Sequence, residues 1–272
     1  MQLKHPTISP LSNRSSQRIA PKPNLKATTF RFERLSQYEE LSHEVFTRHG
    51  GVSRPPYDTL NVGNGTGDTP ENVQLNLQII MGVMGTRQLR FMNQLHGKDI
   101  SLLRKGEAPV SPSAVDGDAI ISNQSKVAVM VKSADCQAII LFDPVKRVVS
   151  NVHCGWRGNT LNIVADVVDR MKSDFQCKPS RILAGIGPSL GPCCAEFMTH
   201  GEIFPKNFDR FMVRRNYFDL WRLSRWQLLE AGLKKENIEV AGICTRCRTD
   251  LFYSYRAEGT TGRFATVVML KQ

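Results

Sequence analysis

Apolar residues recur along this chain in two different rhythms, and each predicts a different element. Val73, Leu77, Ile80 and Met84 follow one another every three or four positions, the spacing of a helix with one buried face. Asp68-Thr69-Pro70-Glu71 just before them supplies a capping residue, an early proline and an acid in the first turn. Leu161, Val164, Val168, Met171 and Phe175 predict a second helix, capped by Asn159 or Thr160. Leu220, Leu223, Trp226, Leu229 and Leu233 predict a third within 217–233, ending near Gly232. The other rhythm is the short unbroken run. Residues 127–131 and 138–142 are fully apolar and of strand length, and 119–121, 148–152, 181–185, 238–244 and 264–270 read as further strands.

The residues able to do chemistry cluster where these runs stop. Phe91-Met92-Asn93-Gln94-Leu95-His96-Gly97 reads as a strand end opening into a turn. Asp116-Gly117-Asp118 turns into a buried strand, and either aspartate is placed to orient a histidine or a ligand hydroxyl. Ser133-Ala134-Asp135-Cys136-Gln137 separates the two apolar runs. His153 ends the next strand, so adjacent strand ends can bring Cys136 and His153 within reach of each other. His153-Cys154-Gly155-Trp156-Arg157-Gly158 then forms a tight turn before a helix, whose free N–H groups favour an anion.

Further along, the Gly/Pro-spaced stretch 186–192 can cradle an anion through backbone N–H groups. The adjacent Cys193 and Cys194 read as packed thiols, and Cys244-x-x-Cys247 lacks a second such pair for a structural zinc site. Arg256 and Arg263 flank a Gly/Thr turn and make a plausible pair for phosphate or carboxylate. Upstream, Arg48 and His49 occupy a glycine-marked loop, either facing a ligand or simply solvated.

Charge narrows the choice of partner. The formal net charge is +11, and Lys4, Arg14, Arg18, Lys22, Lys26 and Arg31 account for six of it before the first acid, Glu33. What remains for residues 33–272 is +11 − 6 = +5, only mildly basic, with no basic stripe interleaved with aromatics. Nucleic acid is therefore not the expected partner. Residues 1–32 read as a disordered basic extension, with a composition also compatible with an organellar transit peptide. No run is long and apolar enough to span a membrane, and no signal-peptide core is visible. Seven cysteines, an odd number, fit reduced thiols better than a disulfide framework.

Taken together and in order, these motifs resemble the laccase-domain, YfiH-like family, also known as polyphenol oxidase and as purine nucleoside phosphorylase. Asn93–Gly97, Asp116–Ala119, Ser133–Cys136, His153–Gly158, Gly187–Cys194 and Tyr253–Arg256 through Gly262-Arg263 carry the likeness, with His49–Ser53, Leu60-Asn61 and Gly67-Asp68 upstream. It spans roughly residues 45–270. Cys154 stands where the family more often has alanine, and Ala195 where tyrosine is common. The resemblance implies a single-domain α+β fold, mixed sheets flanked by helices, over residues 33–272. It implies a mostly cytosolic enzyme and a metal site, usually zinc, at His96, Cys136 and His153. Two imidazoles and a thiolate leave a fourth position for water or substrate. Copper chemistry of the multicopper type calls for several His-rich clusters, and six histidines, one of them His5 in the extension, are too few.

The activity implied is phosphorolysis of adenosine, inosine, guanosine and S-methyl-5′-thioadenosine, with adenosine deamination on the side. Arg157 is the first expected phosphate contact, followed by Arg263, Arg256 and Arg48. Two other readings stay open: a cysteine-type amide hydrolase acting on a peptidoglycan precursor, with Cys136 as nucleophile and His153 as base, and a zinc-binding module without catalysis. The oligomeric state is open.

Overall fold

A computed structural model describes residues 26–106 and 112–271. Its centre is a pair of six-stranded sheets packed face to face. The first runs Thr29–Phe30, Leu41–Phe46, Phe264–Leu270, Val127–Ser133, Gln88–Asn93, Ser113–Asp116. The second runs Ile238–Val240, Leu183–Ile186, Gln137–Asp143, Val148–Cys154, Ala119–Ser122, Ile100–Leu103. Both mix parallel and antiparallel neighbours.

The unbroken apolar runs are explained by what covers each face. Side chains alternate across a strand. Val127, Val129 and Val131 point into the core between the sheets, where they meet Ala138, Ile140 and Phe142 of the other sheet. Ala128 and Met130 face the opposite way, onto Val73, Leu77, Ile80 and Met84 of the helix Pro70–Met84. Ile139 and Leu141 turn outward onto Val164, Val167, Val168 and Met171 of the helix Ile163–Phe175. With both faces covered, such strands have no solvent side and need no polar alternation. The result is helix, sheet, sheet, helix: the expected single-domain α+β fold of mixed sheets flanked by helices.

Local details differ in places from the expectation. The first helix is capped as predicted, Thr69 Oγ1 accepting from the Asn72 amide at 3.3 Å, with Pro70 at its first position. The second starts earlier than Asn159 or Thr160. A short helix, Trp156–Leu161, begins at Gly155 and breaks at Asn162, which adopts left-handed φ 56°, before Ile163–Phe175 resumes. The reason is that Asn159 is fully buried, its side chain bonded to Gly155 O and Ser224 Oγ rather than serving as a cap. The third helix is Leu220–Glu230, capped by Asp219 accepting from the Arg222 amide at 2.9 Å.

The boundary of the basic extension also moves. Residues 1–25 lie outside the described structure, but Thr29 and Phe30 pair with Phe46 and Val45, and Phe32 is buried in the central core. The expectation that residues through 32 are disordered is corrected by that aromatic anchor, which packs closely against Gly185, where a Cβ would sit 2.6 Å from the Phe32 ring. Among the described residues, no helix is long and apolar enough to cross a membrane.

Candidate metal centre and cavity

Strand register assembles the site. In the antiparallel pair, Gln137 lies opposite Cys154 and Ala138 opposite His153, so Cys136 projects one residue beyond the strand end that carries His153. On the other side Ala119 lies opposite Val152, which sets Asp118 beside His153. His96 arrives from the first sheet, on the turn after Gln88–Asn93, in the left-handed region at φ 58°. The ligand atoms of His96, Cys136 and His153 all fall within 4.8 Å of one another. Cys136 Sγ lies 3.9 Å from His96 Nε2, and the two imidazole rings meet edge to face at 4.8 Å.

Asp118 is the hub of this arrangement. It is fully buried and bonds His153 Nδ1 at 2.7 Å through Oδ1, while accepting from the amides of His96 at 3.0 Å and Gly97 at 2.7 Å. One carboxylate thus fixes the position of one histidine through its ring and the other through its backbone. Burial alone would raise the Asp118 carboxyl, but the hydrogen bonds from His153 and the Gly97 and His96 amides hold it below the usual range. Because Nδ1 of His153 is engaged, its Nε2 is the atom left for a ligand.

Burial pulls the His153 imidazole down, yet the Cys136 thiolate and the Asp118 carboxylate beside it push it up to about 9. Burial likewise raises the Cys136 thiol, and the His153 imidazolium more than offsets this, bringing it down to about 6. Gly155 leaves room for the cluster, since a Cβ there would stand 2.8 Å from Cys136 Sγ. Two imidazoles and a thiolate of lowered pKa, one imidazole backed by a carboxylate, suit a zinc-class ion with one open position.

The centre opens into a cavity of about 790 Å³. Trp156, Phe197, Tyr255 and Leu190 give it apolar walls, Asn64 and Thr66 a polar edge, and Lys132, Arg256 and Arg263 positive charge. Lys132 is pulled down to about 8 by burial and by the neighbouring Arg263. Arg263 is also lowered, chiefly by burial, and its Nη1 donates to the carbonyls of Thr261 and Gly262. Arg256 donates to Glu196 O at 3.0 Å and sits at the rim.

The other predicted arginines go elsewhere. Arg157 is exposed, with its guanidinium 5.1 Å from the Trp156 ring centre, and does not line the cavity. Arg48 is buried in an anchoring role, bonded to Glu258 Oε1 at 2.8 Å and to the carbonyls of Asp58 and Thr249. Sequence reasoning missed Lys132. Its one signal was a lone cation closing the run 127–131.

The family model described as multi-copper polyphenol oxidoreductase laccase matches residues 42–271. This chain belongs to that laccase-like, YfiH family. It is 31% identical over 258 residues to a protein of Bacteroides thetaiotaomicron named purine nucleoside phosphorylase, with 88% of this chain and 95% of the relative covered. To the Escherichia coli purine nucleoside phosphorylase YfiH it is 33% identical over 240 residues, covering 82% and 91%. The crystal structure of a Bacillus licheniformis YfiH matches with a TM-score of 0.78 at 27% identity, covering 88% of this chain and 95% of that one. The YfiH family description speaks of several coppers. Among the described residues here, two groups converge closely enough for a metal: the His/Cys/His triad and a four-cysteine group, Cys193, Cys194, Cys244 and Cys247.

Proposed function

We propose that this chain is a purine nucleoside phosphorylase acting at the His96, Cys136 and His153 centre. Its substrates would be adenosine, inosine, guanosine and S-methyl-5′-thioadenosine, and adenosine deamination a side activity in which water adds to C6 of the purine ring and ammonia leaves, the glycosidic bond staying intact. The observation that carries the proposal is the cavity itself, which joins aromatic walls to a pair of part-buried cations, Lys132 and Arg263, neither of them in a salt bridge among the described residues. A purine stacks on aromatic faces, and phosphate needs positive charge not already held in a salt bridge. The names of the relatives support the same reaction class.

In phosphorolysis a phosphate oxygen bonds to the anomeric carbon and the carbon–nitrogen bond breaks. The purine leaves with the bonding pair and takes a proton on nitrogen. Lys132 and Arg263 hold the phosphate in this account, with Arg256 at the rim. Trp156, Phe197 and Tyr255 bind the base and displace water. Asp118 fixes His153 and the His96 turn, so the donors are in place before substrate arrives. A metal bound here supplies Lewis acidity or an acidified water.

One observation favours a second reading. The Cys136 thiol is lowered to about 6 beside an imidazolium, the pairing a cysteine nucleophile uses. The test is a screen of purified protein against purine nucleosides with and without phosphate, and against an amide substrate with and without chelator. Phosphate-dependent base release, lost on chelation, supports the phosphorylase. Chelator-resistant amide cleavage blocked by iodoacetamide replaces it with the hydrolase, and silence in both arms leaves a module without catalysis.

A further inference from the structure

The four cysteines outside the cavity converge as well. Cys193 and Cys194 sit on the loop after Gly191, and Cys244 and Cys247 on the turn after the strand Ile238–Val240. An isolated parallel bridge between Ser189 and Cys244 clamps the two segments in register, with Ser189 N donating to Ile243 O and Thr245 N to Ser189 O. All four sulfurs then lie within 4.8 Å of one another, Cys247 Sγ standing 3.6 Å from both Cys193 Sγ and Cys194 Sγ.

We propose that Cys193, Cys194, Cys244 and Cys247 form a second metal site, a closed tetrathiolate centre for zinc, separate from the His/Cys/His centre. Four sulfurs at about 2.3 Å from a tetrahedral zinc stand roughly 3.8 Å apart, close to the 3.6 Å between Cys247 and each of its two neighbours. A disulfide needs about 2.05 Å and joins one pair, whereas Cys247 is equidistant from two sulfurs.

The surroundings suit bound thiolates. The Gly191 amide donates to Cys244 Sγ at 3.3 Å, and the Cys247 amide also reaches that sulfur. Backbone N–H groups aimed at a ligand sulfur orient it and share its charge. Gly191 gets close enough because it has no side chain; a Cβ would stand 2.8 Å from the Trp221 ring and 3.0 Å from Cys244 Cβ. Four thiolates and one zinc carry a net double negative charge, and arginines surround them. Arg214 donates to Cys193 O, Arg256 approaches Cys194 O, and Arg246 interacts with the Cys194 side chain.

The loop being pinned supplies cavity wall: Leu190 precedes Cys193 and Phe197 follows Cys194, and both line the cavity. The role inferred is structural, holding that wall against the turn that leads to Tyr255 and Arg256. Sequence spacing concealed it, because the partner of the Cys-x-x-Cys pair is an adjacent Cys-Cys on a distant loop.

Metal analysis of protein purified with zinc under mild reduction tests this. Cys247→Ser should carry about one zinc fewer per chain than wild type, while His153→Ala should keep the ion that Cys247→Ser loses. Cys247→His, which restores a ligand, should regain it, so that loss in the serine variant is not mere misfolding. Cobalt exchanged into His153→Ala should give the thiolate-to-cobalt charge-transfer bands of a sulfur-only tetrahedral site. Equal zinc in wild type and Cys247→Ser would overturn the proposal. So would an intact mass two hydrogens light in fresh wild-type protein, with Cys193 or Cys194 joined to Cys247.

Discussion

The two sulfur-bearing centres of this molecule differ in their donors and in what surrounds them. The His/Cys/His triad is built from ends of strands inside the double sheet, has three donors, and faces a cavity of about 790 Å³. The four-cysteine group is built from two loops, has four donors of one kind, and leaves Cys193 and Cys247 exposed at the surface. Three donors leave a coordination position for chemistry, whereas four sulfurs close the shell. The triad is also electrostatically worked, with Asp118, His153 and Cys136 shifting one another's protonation. On the two proposals above, that contrast would separate a centre that acts from one that holds a wall in place.

The comparison breaks most sharply at Asp118. Asp118→Asn keeps the volume but weakens the acceptor shared by His153 Nδ1 and the His96 and Gly97 amides. Metal affinity or activity should fall about 10–100-fold, with zinc at the four-cysteine group unchanged. Titrating both ions in the variant checks it. Equal loss at both sites would mean a general folding defect.

Protonation offers a second contrast. In metal-free protein the His153 imidazolium favours the Cys136 thiolate, so alkylation by iodoacetamide should rise with pH around a midpoint of about 6. An ordinary thiol does so near 8.5. The sign follows from charge: a cation beside sulfur eases proton loss, so His153→Ala should move the midpoint back up. Metal loading should suppress the reaction across the range. Peptide mapping of the alkylated site at several pH values measures this.

A smaller effect is expected at the cavity's cations. Arg263→Lys keeps the charge and loses the planar fork. The Michaelis constant for phosphate should rise about tenfold, roughly 1.4 kcal/mol, with that for nucleoside nearly unchanged. Lys132→Ala should act in the same direction. Equal rises for both substrates would move these residues from phosphate binding to general cavity shape. The smallest effect belongs to Arg157→Lys. With its guanidinium exposed over Trp156, it should change the phosphate constant by no more than about twofold, and a tenfold rise would return Arg157 to the phosphate site.

How much of this was legible in sequence depended on whether the cause was local. The helix Pro70–Met84 declared itself through its own cap and apolar spacing. The strand runs 127–131 and 138–142 were readable because burial on both faces leaves no polar position. Cys136 and His153 could be placed together because consecutive strands usually pair, whereas Asp116 and Asp118 stood as equal candidates for orienting a histidine or a ligand hydroxyl until the pairing of Ala119 with Val152 set Asp118 beside His153. Lys132 was hidden because it merely closes a strand, and its proximity to Arg263 comes from the pairing of Val127–Ser133 with Phe264–Leu270. The same non-local pairing concealed the four-cysteine group, whose halves meet only through the bridge at Ser189 and Cys244. Arg157 was the first phosphate candidate because its motif places it next to the centre in sequence, while the helix that begins at Trp156 turns it toward solvent.

The most direct test of the central claim is where phosphate goes. Purified enzyme, inosine and inorganic phosphate can be followed by phosphorus NMR, with His153→Ala alongside. The account predicts a ribose 1-phosphate signal growing in step with hypoxanthine release in wild type, and neither in the variant. Hypoxanthine released with free ribose and phosphate unconsumed, or product formed equally by His153→Ala, would contradict it.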